Sequence, residues 1–158
     1  DDRTACWKLY DEGFNDHDLS PNDTGLDLDN IVVEYQKKPG SNFWVAENER
    51  GEIVGMIGVR QFEEGVGEIS RLHVRKDCRG RGIGRQLLET ALHFCRVKQY
   101  LKVTLDTDAH HEAAIRLFRK HQFRHSHTRT LGAQRINIFY LDLYLSEDEE
   151  KEKEKKKK

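Results

Sequence analysis

The spacing of apolar positions changes several times along the chain, and each change marks a new element. Cys6, Leu9, Tyr10 and Phe14 recur at helical spacing, which predicts a short amphipathic helix over residues 3–13, ended by Gly13. Residues 15–25 are polar and contain Pro21 and Gly25, so they read as a loop. Leu28, Ile31, Val32 and Tyr35 then supply one apolar face for a second helix over 26–36, stopped by Pro39-Gly40-Ser41. From there the period falls to two. Residues 43–46 and 53–59 read as strands joined by a turn at 48–52, and 68–74 as a third strand after the turn Glu63-Glu64-Gly65.

The clearest helix covers residues 82–97, where Ile83, Leu87, Leu88, Ala91, Leu92 and Cys95 recur every three or four positions. A strand over 101–105 follows, then a helix over 112–122 with Ala114, Ile115, Leu117 and Phe118 inward, then closing strands over 124–130 and 136–145. Antiparallel strands with helices inserted between them imply an α/β fold (α+β in some schemes): a mixed, mostly antiparallel sheet with helices on both faces. No internal repeat is visible, and 158 residues favour one domain. That domain is expected over residues 1–145, followed by a charged, disordered tail over 146–158. The tail holds six acids and six lysines between Glu147 and Lys158, so it adds nothing to the net charge of -1.

A charge so near neutrality excludes a global field for nucleic acid or membrane surfaces. The cysteines Cys6, Cys78 and Cys95 are odd in number and form no CxxC, which speaks against a disulfide framework or a zinc knot. No apolar run approaches the ~18 residues of a membrane span, and no signal peptide is visible. The expected setting is therefore cytoplasmic, without a span in this chain.

The chemistry concentrates in Arg79-Gly80-Arg81-Gly82-Ile83-Gly84, between a strand and a long helix. A helix start offers about four unpaired N–H groups and partial positive charge. Glycine lets a phosphate approach those groups closely, and Arg79 and Arg81 can add charge-assisted bonds. A P-loop is excluded because Gly-Lys-Ser/Thr is absent, and a dinucleotide fold because the glycines come mid-chain after antiparallel strands.

The motif Arg79-x-x-Gly82-x-Gly84, with Leu72-His73-Val74 before it and Glu112-Ala113-Ala114-Ile115-x-Leu117-Phe118 and Phe123 after it, resembles the acyl-CoA signature of the GNAT superfamily, the Gcn5-related N-acetyltransferases. The run Leu28-Asp29-x-Ile31, then Pro39-Gly40-Ser41-x-Phe43-Trp44-Val45-Ala46-Glu47, is similar to the camello-like branch, which includes aspartate and cysteine-conjugate N-acetyltransferases. The resemblance covers about residues 3–145. It implies acetyl-CoA as co-substrate, no metal, and a primary amine as acceptor. A small amino-acid-like acceptor is expected first; protein lysines or N-termini, including histones, and a weakly catalytic CoA-binding module are the alternatives.

The resemblance also assigns roles. Glu68 opens the strand leading into the cradle, where family members place a base, and Asp106 ends the next strand, where others do. Acetyl-CoA would be held by Leu72, His73, Val74, Arg79, Gly80, Arg81, Gly82, Ile83 and Gly84, with His111 and Phe118 at positions where the family usually has asparagine and tyrosine. Phe118 offers no acid for the departing thiolate. Camello-like relatives carry a hydrophobic membrane segment where this chain has its polar residues 15–25, so either a soluble relative or a chain in which that segment has been replaced is expected. The first family strand, normally ahead of Arg3, is also expected to be missing or truncated.

Other residues invite weaker readings. Arg71, Arg129 and Arg135 are candidate clamps for an acceptor carboxylate, and Glu63, Glu64, Glu68 and Asp106 a candidate acidic groove for a basic peptide. His125 and His127 are expected on one strand face, but the histidines of residues 110–127 show no metal-ligand spacing. Phe43, Trp44 and Tyr100 read as core, and Cys78 as a small packing residue. Arg116, Arg119, Lys120 and Arg124 form a basic face, solvated or turned to a phosphate.

Overall fold

A computed structural model of the chain describes residues 2–15, 25–144 and 155–156. Residues 16–24 of the predicted loop and all but two residues of the predicted tail lie outside them. The elements are α1 (Asp2–Asn15), β1 (Asn42–Glu47), β2 (Ile53–Glu63), β3 (Val66–Val74), α2 (Ile83–Val97), β4 (Lys102–Asp108), α3 (Glu112–Lys120), β5 (Arg124–Leu131) and β6 (Gln134–Asp142).

The strands form one six-stranded sheet in the order β1-β2-β3-β4-β6-β5. Its ladders are antiparallel except β3 with β4, which are parallel because α2 carries the chain across between them. β2 explains why the sheet is covered on both faces. Its residues from Val54 to Val59 are buried without a break, and alternate ones belong to different cores. Ile57 and Val59 pack with Leu88, Ala91 and Cys95 of α2 and with Phe118 of α3. Met56 packs with Cys6, Leu9 and Tyr10 of α1 and with Leu28, Tyr35 and Phe43. Phe43 and Tyr100 are core as expected, and half-buried Trp44 meets Phe94 edge-on at 5.1 Å.

Several expectations need correction. α1 does not stop at Gly13 but runs to Asn15. The single helix expected over 26–36 is a 3-10 turn, Leu26–Asn30, followed by a π turn, Val32–Gln36. Polar residues explain the break. Asn30 Oδ1 accepts the Val33 N–H at 3.3 Å, and the Asp27 carboxylate turns inward. Val32, expected on the buried face, is 47% exposed. β2 extends to Glu63 rather than ending at Val59, because its polar end pairs with β3 through Arg60↔Glu68 and Gln61↔Gly67. α3 ends at Lys120, and Gln122 has the left-handed φ of 70° common after a helix. His125 and His127 do not share a face. A bulge at Ser126 sets them opposite Phe139 and Ile138, which alternate across β6.

Candidate active site

β3 and β4 pair only through Val66↔Lys102, Gly67↔Val103 and Glu68↔Thr104. Past Glu68 the pairing stops and the strands part, with β3 continuing to Val74 and β4 to Asp108. The fork opens into a cleft of about 660 Å³, within the range of small-molecule sites. Glu68 therefore stands at the apex of the fork.

The start of α2 lines the same cleft. Gly82 caps the helix with φ 83°, a conformation that costs about 1–2 kcal/mol for a residue with a Cβ. No side chain caps this end, so its first N–H groups remain a ready anion site. Gly84 is not demanded by protein sterics. A Cβ there would meet Leu117 and Val74 at 3.6 and 3.7 Å, ordinary contact distances. Close approach of a ligand is the remaining use for its bareness. These features fit a pyrophosphate-bearing ligand.

The cleft collects Glu68, Leu72, His73, Val74, Arg79, Gly80, Gly82, Ile83, Gly84, Asp106, His111 and Phe118, all singled out from sequence. Arg81 is the exception, for it lines an adjoining cavity of about 900 Å³ between α2 and the β1–β2 hairpin. Arg79 works as a fastener: its Nε donates to the Val74 carbonyl at 3.0 Å, and its Nη2 lies 3.8 Å from Glu12. Glu12 Oε1 also accepts the Lys76 N–H at 2.7 Å and lies 3.2 Å from His73 Nε2. One carboxylate of α1 thus ties the end of β3 to the glycine-rich turn. Phe118 is 4% exposed and packs on Phe123 and Phe139, with ring centroids 5.9 and 6.1 Å away. His111 precedes α3, and its carbonyl accepts the Ile115 N–H at 3.1 Å.

Burial pushes the Glu68 carboxyl above its usual range; Arg60, 3.8 Å away, opposes the shift and the Asp106 charge adds to it. Asp106 is exposed on β4. The two proposed bases thus sense one another across the fork.

Arg71, read from the sequence as a candidate acceptor clamp, lines the cleft with Arg60 and is backed by Asp27 and Tyr35, which sequence reasoning missed. Arg71 donates to Asp27 from Nε at 3.0 Å and from Nη2 at 2.5 Å, and lies 5.3 Å over the Tyr10 ring. Asp27 also accepts a short hydrogen bond from Tyr35 Oη, which lies 3.3 Å from Ser70 Oγ. Arg60 stands 5.3 Å over the Tyr35 ring. Burial alone would raise the Asp27 carboxyl, but hydrogen bonds from Arg71 and Tyr35 outweigh it and hold Asp27 below its usual range. Burial and the bond to Asp27 push the Tyr35 hydroxyl up to about 12. Strand alternation gave no hint of this: in step with Gly67 and Ile69, Arg71 would face the α2 side, yet it packs over Tyr10 of α1.

Arg129 and Arg135 are exposed on β5 and β6 and do not line the cleft. Glu63 and Glu64 sit at the β2–β3 turn, also away from it, so the acidic groove does not form as expected. Arg116 and Lys120 do reach the cleft rim. Cys6, Cys78 and Cys95 are buried free thiols, and burial pushes Cys6 to about 11 and Cys95 to about 12. Among the described residues no group of three or more His, Cys, Asp or Glu side chains is arranged to hold a metal ion, and no helix is long and apolar enough to cross a membrane.

With the fork, the glycine-rich helix start and the carboxylates in place, comparison with known proteins is decisive. The sequence model of the Acetyltransferase (GNAT) family matches residues 4–123. The chain belongs to the GNAT acetyltransferase family. It is 38% identical over 100 residues to N-acetylaspartate synthetase of Xenopus tropicalis, a match covering 63% of this chain and 36% of the relative. The Homo sapiens N-acetylaspartate synthetase is 39% identical over 100 residues, covering 63% and 33%. A Xenopus laevis protein bearing the name N-acetyltransferase camello is 35% identical over 103 residues, covering 64% and 45%. The matched region spans less than half the length of each of these relatives. Among solved structures, a ribosomal-protein-alanine N-acetyltransferase from Brucella melitensis matches this GNAT chain with a TM-score of 0.77 at 25% identity, over 90% of this chain and 94% of that one. A GNAT acetyltransferase from Staphylococcus aureus Mu50 shares the fold, with a TM-score of 0.77 at 20% identity, covering 89% and 92%.

Proposed function

We propose that this GNAT protein transfers an acetyl group from acetyl-CoA to the primary amine of a small amino-acid-like acceptor such as aspartate or a cysteine S-conjugate. One observation carries the reading: Glu68, its carboxyl raised by burial, stands at the apex of the same cleft that the uncapped start of α2 lines. The pyrophosphate of acetyl-CoA rests on the N–H groups from Gly82 to Arg85, and the thioester arm enters the fork along residues 72–74. The neutral amine attacks the thioester carbonyl carbon, and backbone N–H groups of β3 take the charge that develops on its oxygen. The C–S bond breaks, CoA leaves as thiolate, and the ammonium proton passes to Glu68 directly or through water. Asp106 is the second carboxylate on that proton's route. Phe118 gives the thiolate no proton, and a thiol of pKa about 8.5 leaves without one.

A small acceptor is favoured over a basic peptide because Glu63 and Glu64 stand away from the cleft. The names of the synthetase relatives point the same way. The test is CoA release from acetyl-CoA with aspartate, S-benzylcysteine and a lysine peptide in parallel. Release with one of the first two supports the reading. Release with the peptide alone replaces the acceptor, and acetyl-CoA binding without release on a wide amine panel leaves a non-catalytic module.

A further inference from the structure

Three non-glycine residues among those described have positive φ: Arg71 at 59°, Gln99 at 61° and Gln122 at 70°. Gln99 and Gln122 close helices, where such a conformation is ordinary. Arg71 lies inside a strand, in the wall of the cleft. The ladder of β2 with β3 shows what it does there. Met56 pairs with His73 and Gly58 with Ser70, so Ile57 alone faces both Arg71 and Leu72. The strand bulges by one residue, and the bulge re-aims the backbone of residues 72–74.

A left-handed arginine persists only where its surroundings over-determine it. Here they do. The guanidinium is held by both oxygens of Asp27 and lies over the Tyr10 ring, with the Arg71 and Asp27 side chains 10% and 8% exposed. Tyr35, bonded to the same carboxylate, lies 3.3 Å from the hydroxyl of Ser70, the residue before the bulge. Two consecutive residues of β3 are thus tied to the 26–36 segment through Asp27 and Tyr35.

We propose that the Asp27–Arg71 ion pair is a positioning strut: it holds the β3 bulge so that residues 72–74 present their backbone to the thioester, and Arg71 itself does not bind the acceptor. The proposal rests on the acetyl-transfer reading above. It also gives the irregular 26–36 segment a task, which is to bring Asp27 and Tyr35 to the bulge from across the fold.

The test compares Arg71→Ala with Arg71→Gly. Both leave Asp27 without its guanidinium, but only glycine accepts φ 59° without a Cβ penalty. With the strut, Arg71→Ala lowers kcat about 100-fold, the scale of a small misplacement of reacting groups. Both Michaelis constants stay within about threefold, the signature of a contact that matters in the transition state. Arg71→Gly recovers about tenfold of that loss. Equal losses in the two variants, with a raised Michaelis constant for the acceptor, would make Arg71 an acceptor ligand and overturn the proposal. A second readout needs no turnover. Amide hydrogen exchange at residues 70–74 should quicken in Asp27→Asn, while residues 79–84 keep the wild-type rate. Should Asp27→Asn fail to fold, Arg71→Lys, which keeps one charge for Asp27, should show a smaller change at the same residues. Unchanged exchange at 70–74 would sink the strut, whereas a wild-type chain that releases no CoA fails the acetyl-transfer reading alone.

Discussion

One wall of the cleft, the start of α2, comes from residues that follow one another between Arg79 and Gly84, whereas the wall around Arg71 depends on a partner 44 positions away. The first is set mainly by local conformations, glycines at positive φ and a helix start left uncapped, with Glu12 of α1 as its distant fastener. The second needs the 26–36 segment, the bulge in β3 and α1 to arrive together. The contrast separates what a short motif can specify by itself from what the fold must assemble. It predicts that damage to the first wall is felt mainly in ligand binding and damage to the second mainly in stability and positioning.

The largest effect should follow from removing Asp27. Asp27→Ala leaves the buried Arg71 cation without its carboxylate, and breaking such a pair costs about 3–5 kcal/mol. Urea unfolding at neutral pH measures it. The pH dependence has a definite sign. Asp27 titrates below its usual value of 3.8 in the folded chain, so the pair's contribution is present above that value and is lost as pH falls through the folded pKa. The gap between wild type and Asp27→Ala should therefore begin to shrink only once pH falls below 3.8.

Next comes Gly58→Ala, on the side of the fold that braces Tyr35. A Cβ there would lie 2.6 Å from Tyr35 Cε1 and 3.1 Å from Phe43 Cδ2. Overpacking of this kind costs about 1–3 kcal/mol, and thermal unfolding reads it. Gly82→Ala sharpens the other half of the comparison. Its Cβ meets only Arg85 side-chain atoms, at 3.7 and 3.9 Å, so the cost is backbone strain of about 1–2 kcal/mol. Acetyl-CoA affinity should fall by about tenfold, measured by calorimetry. The smallest effect should be Arg116→Ala, a 70% exposed side chain whose carboxylate neighbour Glu112 is 4.0 Å away; stability should move by less than about 0.5 kcal/mol.

The same contrast explains what could be read in the sequence. The glycine-rich turn, α2 and α3 were legible because their periodicity and glycines are local. Leu87, Leu88, Ala91, Leu92 and Cys95 are buried as their spacing requires. Glu68 and Asp106 were legible as strand-end carboxylates, but the fork that brings them to one cleft depends on where the β3–β4 ladder stops. The 26–36 segment was misread because its apolar spacing suits a helix, while Asp27 and Asn30 use their side chains to bond elsewhere. Arg71 was noticed as a cation and a candidate carboxylate clamp, but nothing local in its sequence reveals Asp27 as its partner. Arg81 was grouped with the cradle by proximity in sequence, yet the turn at Gly80 and Gly82 sends it into the neighbouring cavity.

The measurement that bears most directly on the central claim is the pH dependence of kcat/KM for acetyl transfer in wild type and Glu68→Gln, with acetyl-CoA affinity determined on both. The wild-type rate should rise with pH through an ionisation above the usual carboxylate value of 4.5, because the base must be unprotonated and burial raises it. Glu68→Gln should lose about 10²–10⁴-fold in turnover and the ionisation with it, while binding acetyl-CoA as the wild type does. Full turnover in Glu68→Gln, or wild-type chain that fails to bind acetyl-CoA, would contradict the assignment of this cleft.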